Sequence, residues 1–289
     1  MITALVVLCR KQQAYAGLIA RGIASQTVRP DRVLVVMDRP EGNEAGETRK
    51  AYSAVDGCTF LEVEYPPVPL RRPRMRHGIP PFCAGYCRDR ALDALGGDYG
   101  IAIFIDGDCI PQARLVESHV AAAVPGCITI GRRREDRWNG MDQRQAYRSR
   151  PIDIFGDTPR VVDSERYVAD SGVVWTCNTG FTPGAVSAIR ELNRRLYGVD
   201  AVFHPDFCGR WGGEDGFLGM ECLYGGIPMR TCPVMDGDGV VHIDHPRPDG
   251  YYDHGEFLPF LDSKRRELMA LLGIAGRFRT LDDIVGIRE

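Results

Sequence analysis

Three short clusters of residues have the composition for chemistry on a charged ligand. The first is Asp106-Gly107-Asp108. Two carboxylates flank a residue with no side chain, and oxygen ligands of this kind suit hard divalent cations such as Mg²⁺ or Mn²⁺. Gly107 lets the backbone turn tightly and lets a ligand come close. The same triplet is ordinary turn chemistry, but it directly follows the apolar run Ile101-Ala102-Ile103-Phe104-Ile105, and a bare surface turn needs no such strand. The second cluster is Trp211-Gly212-Gly213-Glu214-Asp215. Either carboxylate can serve as a general base toward a hydroxyl within reach, although acids at a helix start are also good partners for the helix dipole. Trp211 suits a sugar-stacking platform or a core aromatic. The third is His242-Ile243-Asp244-His245. On a strand the two imidazoles point to opposite faces. One imidazole joining the aspartates makes a mixed nitrogen and oxygen site of the kind Mn²⁺ accepts, while a lone histidine is more often structural.

These clusters need elements to position them. Thr3–Leu8, Arg32–Met37 and Ile101–Ile105 read as buried strands, and Phe60–Glu64 as an alternating one. Tyr15, Leu18, Ile19 and Ile23 recur at helical spacing within 12–24, and Cys83–Leu95 predicts a helix stopped by Gly96-Gly97. Residues 38–43 form a loop by their turn chemistry. Alternating strands and helices with continuous apolar strands predict an α/β fold: a mostly parallel sheet covered on both faces. Ligands of such sheets bind at the carboxyl ends of the strands, where Asp38, Asp106 and Asp108 fall.

The 289 residues, 44% hydrophobic and 26% charged, exclude a disordered chain, a collagen-like repeat and a coiled coil. The longest apolar runs are far short of the roughly 20 residues of a membrane helix. The first eight residues read as a strand rather than a signal peptide. A net charge of −3 argues against a generally basic nucleic-acid binder. The ten cysteines contain no Cys-x-x-Cys pair, Cys83 and Cys87 share a helix face, and the expectation is reduced thiols in a cytoplasmic protein. Two basic segments stand out, Arg71 to Arg76 and Arg132 to Arg150. The 131–150 stretch carries seven arginines against three acidic residues, and both segments read as loops.

In this order the motifs resemble a known family. Val33-Leu34-Val35-Val36-Met37-Asp38, Arg88-Asp89-Arg90-Ala91-Leu92, the strand ending in Asp106-Gly107-Asp108, Asn178-Thr179-Gly180-Phe181 and Trp211-Gly212-Gly213-Glu214-Asp215 are similar to family-2 type glycosyltransferases of the GT-A fold, especially β-1,4-galactosyltransferases and chondroitin-polymerase-like enzymes. The resemblance implies a single GT-A domain over 1–260, with a nucleotide-sugar half at 1–115 and an acceptor half at 116–260. A helical tail of two short helices follows at 261–289. It also implies an inverting transfer from a UDP-sugar, assisted by Mn²⁺ or Mg²⁺. Asp38 would contact uracil or ribose with Arg10 nearby. Asp108 would ligate the metal, and Asp106 would contact ribose or a metal-bound water. His245 would be the late metal ligand, with His242 in the place a methionine often holds. Asp215 would be the base, Glu214 would orient the acceptor, and Trp211 would lie at the sugar site. Met37 stands where the family commonly has a second acid.

Two other functions compete: a sugar-phosphate nucleotidyltransferase and an inactive nucleotide-sugar-binding module. The first normally has a Gly-rich loop after the first strand, which Cys9-Arg10-Lys11-Gln12 lacks. The retained Asp108, Asp215 and His245 argue against the second. The arginine segments are either a solvated surface or a docking site for a polyanionic acceptor, an anionic glycan or DNA with hydroxymethylated bases.

Overall fold

Val33-Leu34-Val35-Val36-Met37 and Ile101-Ala102-Ile103-Phe104-Ile105 are stable as strands when both faces are covered. The computed structural model describes residues 1–64, 83–136, 174, 176–208, 213–243 and 254–274, with main chain alone at 134–136 and 254–258. Both runs lie inside its larger sheet. Strands β1 (Thr3–Cys9), β2 (Arg32–Asp38), β3 (Cys58–Val63), β4 (Ile101–Asp106), β6 (Ile128–Ile130), β8 (Asn178–Phe181) and β9 (Met229–Thr231) pair in the order β3-β2-β1-β4-β8-β6-β9. Only β8 runs against its neighbours. A smaller sheet joins β5 (Cys109–Pro111), β10 (Val240–Ile243) and β7 (Arg133–Asp136), with β10 in the middle.

The period of two along β1 divides the core. Ala4, Val6 and Leu8 face one cluster, and Leu5, Val7 and Cys9 face the other. The first cluster is closed by α3 (Ala84–Leu95), α5 (Pro183–Tyr197) and α6 (Glu214–Tyr224), through residues such as Leu92, Ile189 and Leu218. The second is closed by α1 (Gln13–Ala24), α2 (Glu44–Tyr52) and α4 (Leu115–Ala122), through Ile19, Tyr52 and Leu115. The expected mostly parallel sheet, covered on both faces, is the fold observed.

Three expectations change. Arg133 and Arg134 lie in strand β7, paired with Val240 and Val241, rather than in a loop. The tail begins earlier than expected: α7 is one 18-residue helix, His254–Leu271, and it packs Leu261 and Leu268 against Phe217 and Met220 of α6. Residues 275–289, where a second tail helix was expected, lie outside the described residues. Finally, Cys83 and Cys208 form a disulfide across 125 residues of sequence. Cys83 precedes α3 as its N-cap, and Cys87 is buried in the core outside the disulfide. No local spacing announces this pair, because tertiary packing alone brings the two Cα atoms to 4.4 Å. Among the described residues no helix is long and apolar enough to cross a membrane.

Candidate active site

The parallel register sets Leu8 beside Asp106 and Cys9 beside Met37, so β1, β2 and β4 end at one edge of the sheet. The chain direction switches sides between β1 and β4, which is where open α/β sheets form their ligand crevice. Asp38, at the end of β2, is buried, and Arg10 donates through Nη1 to its Oδ2 at 3.0 Å. This pair lies in the wall of a small concavity that Lys11, Gln12, Pro40 and Thr48 also line. Lys11 and Arg39, just beyond the ends of β1 and β2, have φ of 52° and 42°. Side chains seldom adopt this left-handed region, and structures retain such strain mainly where a turn serves a site.

Gly107 shows why the triplet has glycine at its centre. Its N–H donates to the Leu8 carbonyl at 2.7 Å, and a Cβ there would come within 2.4 Å of Gln12 Oε1. Gln12 in turn donates through Nε2 to Asp108 Oδ2 at 2.8 Å. His242 Nε2 stands 3.7 Å from that same oxygen, too far for a hydrogen bond. The small sheet makes this approach: His242 is registered opposite Cys109, and the Ile243 N–H donates to the Asp108 carbonyl at 2.8 Å. A carboxylate and an imidazole at this spacing fit a shared divalent ion, with other positions left for phosphate oxygens and water. Among the described residues no group of three His, Cys, Asp or Glu could enclose a metal by itself. His245 lies outside the described residues, so His242 is the histidine seen beside Asp108.

Glu214 and Asp215 occupy the first turn of α6, whose N-cap Gly213 has φ of 85°. The Gly216 N–H donates to Asp215 Oδ1 at 2.7 Å. Burial pushes the Asp215 carboxyl up to about 7, and the neighbouring Glu214 charge adds to this, while Arg88 and the Gly216 N–H oppose it. A carboxyl held there can gain or lose a proton near neutrality, as a general base must. Trp211 lies outside the described residues.

Arg88, from α3, joins the two clusters. Its side chain is buried, with Nη1 donating to Glu214 Oε1 at 3.0 Å and Nη2 to Asp106 Oδ1 at 2.8 Å. Burial alone would lower the pKa of this guanidinium, but Asp106 and Glu214 outweigh it and keep the group firmly charged. The planar fork of arginine suits such a double contact. The next residue, Asp89, accepts from the Val202 and Phe203 N–H groups at 2.8 and 3.1 Å. Gly85 leaves room for Phe203, since a Cβ there would stand 2.7 Å from the Phe203 Cβ. Helix α3 therefore holds both the acid pair and the segment leading toward it. The sequence assigned Arg88 and Asp89 no separate role; the available signal was three consecutive charges, Arg88-Asp89-Arg90, between Cys87 and Ala91, which a solvated helix face would not place beside core positions.

The basic segments contribute little here. Arg71 to Arg76 and Arg137 to Arg150 lie outside the described residues. Arg132 donates through Nε to Asp238 Oδ2 at 3.0 Å in a nearly buried pair. Arg133 donates to Cys177 Sγ at 3.9 Å. The expectation that these two arginines belong to a docking loop gives way to a structural role, because the β7–β10 ladder turns them into the fold.

No family model matches this sequence, and no curated protein does. Solved structures do resemble it. TarS residues 1-349 from S. aureus in complex with UDP-GlcNAc superposes with a TM-score of 0.62 at 13% identity, over 98% of this chain and 69% of that one. The UDP complex of the same TarS fragment gives 0.55 at 14% identity, over 98% and 68%. A structure described as a mycobacterial protein gives 0.50 at 15% identity, over 95% and 76%. At these identities the likeness speaks to architecture: a seven-stranded, mostly parallel sheet between helices, with acidic strand ends at its switch point, is the GT-A fold.

Proposed function

We propose that this chain is a metal-dependent, inverting glycosyltransferase that moves a sugar from a UDP-sugar to an acceptor hydroxyl. The observation that carries the reading is the Arg88 fork, which draws the Asp106-Gly107-Asp108 strand end and the Glu214-Asp215 helix start into one site. Likeness in fold to a UDP-GlcNAc complex and a UDP complex supports a nucleotide-sugar donor.

The Arg10–Asp38 pair borders the nucleoside pocket, and Asp106 faces ribose. Asp108 and His242 would hold Mn²⁺ or Mg²⁺, with His245 a further candidate ligand from its place in the sequence. When bound, the cation neutralises the charge that develops on the departing pyrophosphate. Asp215 takes the proton of the acceptor hydroxyl as that oxygen attacks the anomeric carbon from the face opposite the nucleotide, which inverts its configuration. Glu214, held by Arg88, orients the acceptor, and Trp211 offers a ring for sugar stacking. Arg132 and Arg133 are engaged within the fold and lend no support to a polyanionic acceptor.

A panel of UDP-sugars and GDP-sugars, assayed with Mn²⁺ for nucleotide diphosphate release and for transferred sugar by mass spectrometry, tests the reading. Release and transfer from a UDP-sugar, giving the inverted anomer, are expected. Release of pyrophosphate from a sugar phosphate and a nucleoside triphosphate would instead identify a nucleotidyltransferase. Binding of UDP-sugars without turnover would identify an inactive module.

A further inference from the structure

We propose that the Cys83–Cys208 disulfide is a reducible clip that controls the acid half of the site while leaving the strand-end half untouched. The inference rests on the glycosyl-transfer reading for its activity readout. Cys83 caps the helix that presents Arg88 and Asp89, and Cys208 lies six residues before Glu214. Between these anchors the 202–203 backbone is held by the Asp89 carboxylate, and Phe203 seats against Gly85 with the Arg88 guanidinium 5.8 Å from its ring centre. The bridge thus closes the end of one continuous fastening between α3 and the chain leading into α6. Arg10 and Asp38 lie at the ends of β1 and β2, outside the loop that the bridge closes, and Asp108, inside that loop, is held by the main-chain bond from Ile243.

The two sulfurs are placed for exchange with a dithiol. Cys83 is buried, whereas Cys208 is half-exposed, so an incoming thiolate meets the Cys208 sulfur. Attack there forms a mixed disulfide with Cys208, breaks the protein S–S bond and expels Cys83 as a thiolate. That anion is released at the N-terminus of α3, where the helix dipole favours negative charge, and a stabilised leaving thiolate speeds exchange. The second thiol of the reductant then attacks its own mixed-disulfide sulfur and releases Cys208. The reductant becomes a disulfide, and its two protons end on Cys83 and Cys208. The other eight cysteines stand outside any disulfide among the described residues, which confines the exchange to the clip.

The test compares the air-oxidised protein with the same protein after dithiothreitol under native conditions. Alkylation in denaturant followed by mass spectrometry should find Cys83 and Cys208 modified only after reduction, and the other eight cysteines modified in both states. Amide exchange at Val202, Phe203 and the first turn of α6 should then quicken by roughly ten-fold or more, while β1 and β4 amides do not change. UDP affinity measured with Mn²⁺ should hold, and turnover of the active UDP-sugar should fall about ten- to a hundred-fold through misplacement of the acid pair. The Cys83→Ala/Cys208→Ala variant should match the reduced protein and ignore dithiothreitol. Absence of the bridge in the oxidised protein, or equal exchange rates in both states, would overturn the proposal. Faster exchange in a protein that turns over no nucleotide sugar in either state would instead leave the clip standing and remove the transferase reading.

Discussion

The two halves of the site are built by different means. At the strand ends, Asp38 and Asp106 are placed by parallel ladders, Arg10 and Asp108 follow within two residues of such ladders, and His242 reaches Asp108 because a main-chain ladder carries it there. At the start of α6, Glu214 and Asp215 are placed largely by side chains: the Arg88 fork, the Asp89 carboxylate and one disulfide. A ladder survives loss of one side chain, because its hydrogen bonds belong to the backbone. A network of buried side chains does not, because each partner left behind is a desolvated charge. The strand-end half should therefore keep its backbone when a carboxylate is removed, and the acid half should transmit such a loss.

The largest separation of the halves is expected in turnover. Asp215→Asn should lower kcat by about 10²- to 10⁴-fold, the usual range for loss of a general base, and leave UDP affinity intact. The wild-type rate should rise with pH through about 7, where burial places the Asp215 carboxyl, and the variant should lack that limb. Asp108→Ala should do the reverse, weakening Mn²⁺-dependent UDP binding on calorimetry. Its melting temperature should stay unchanged, since the bond from the Ile243 N–H to the residue 108 carbonyl remains.

Arg88→Met should cost about 3 kcal/mol or more of folding stability by urea denaturation, since Glu214 and Asp106 lose a buried partner. Arg88→Lys should restore part of the stability and less of the turnover, because a point ammonium cannot fork to both carboxylates. A fully active, fully stable Arg88→Met protein would erase the contrast between the halves. Gly107→Ala is the matching substitution at the strand end. Its methyl meets Gln12 Oε1, and the strain should cost about 1–3 kcal/mol and weaken Mn²⁺ binding as Gln12 withdraws from Asp108.

The pH dependence of stability should also differ in sign between the groups buried beside the sheet and those on α6. His119 is buried beside the sheet, with Nδ1 2.7 Å from Thr129 Oγ1 and Nε2 2.7 Å from Asn178 Oδ1. Burial pushes its pKa down to about 4, against an opposing bond from Asn178. The unfolded imidazole titrates near 6.5, so this contribution is whole above that pH and is lost as pH falls toward 4, to a ceiling of roughly 3 kcal/mol. Glu221 lies fully buried on α6, and burial raises its pKa well above the ordinary value, against Asn193 and Lys264. Its contribution is whole below the unfolded pKa near 4.5 and is lost as pH rises toward the folded value. Urea midpoints at pH 4.5, 6 and 8 should flatten on the acid side in His119→Gln and on the alkaline side in Glu221→Gln.

Much of the strand-end half was legible in the sequence, because its signals are local. Continuous apolar runs announce buried strands, and an acidic turn after one of them announces a strand end facing a crevice. Helices α2, α4 and α5 went unassigned. In α2 only Thr48 and Tyr52 are buried, so its apolar stripe is too thin to read. The basic stretch after Gly131 read as a loop because charge dominates its composition, yet its main chain completes the edge of the small sheet.

The amino-acid order by itself determined the strands, their alternation with helices, and the acidic residues at the ends of β2 and β4 and the start of α6, because apolar periodicity and turn chemistry act over a few residues. Only the tertiary structure decided that Arg88 would bridge Asp106 to Glu214, that His242 would reach Asp108, and that Cys83 would pair with Cys208. Those contacts join residues 18 to 134 positions apart. Packing of helices against the sheet sets such distances, and no local spacing encodes them.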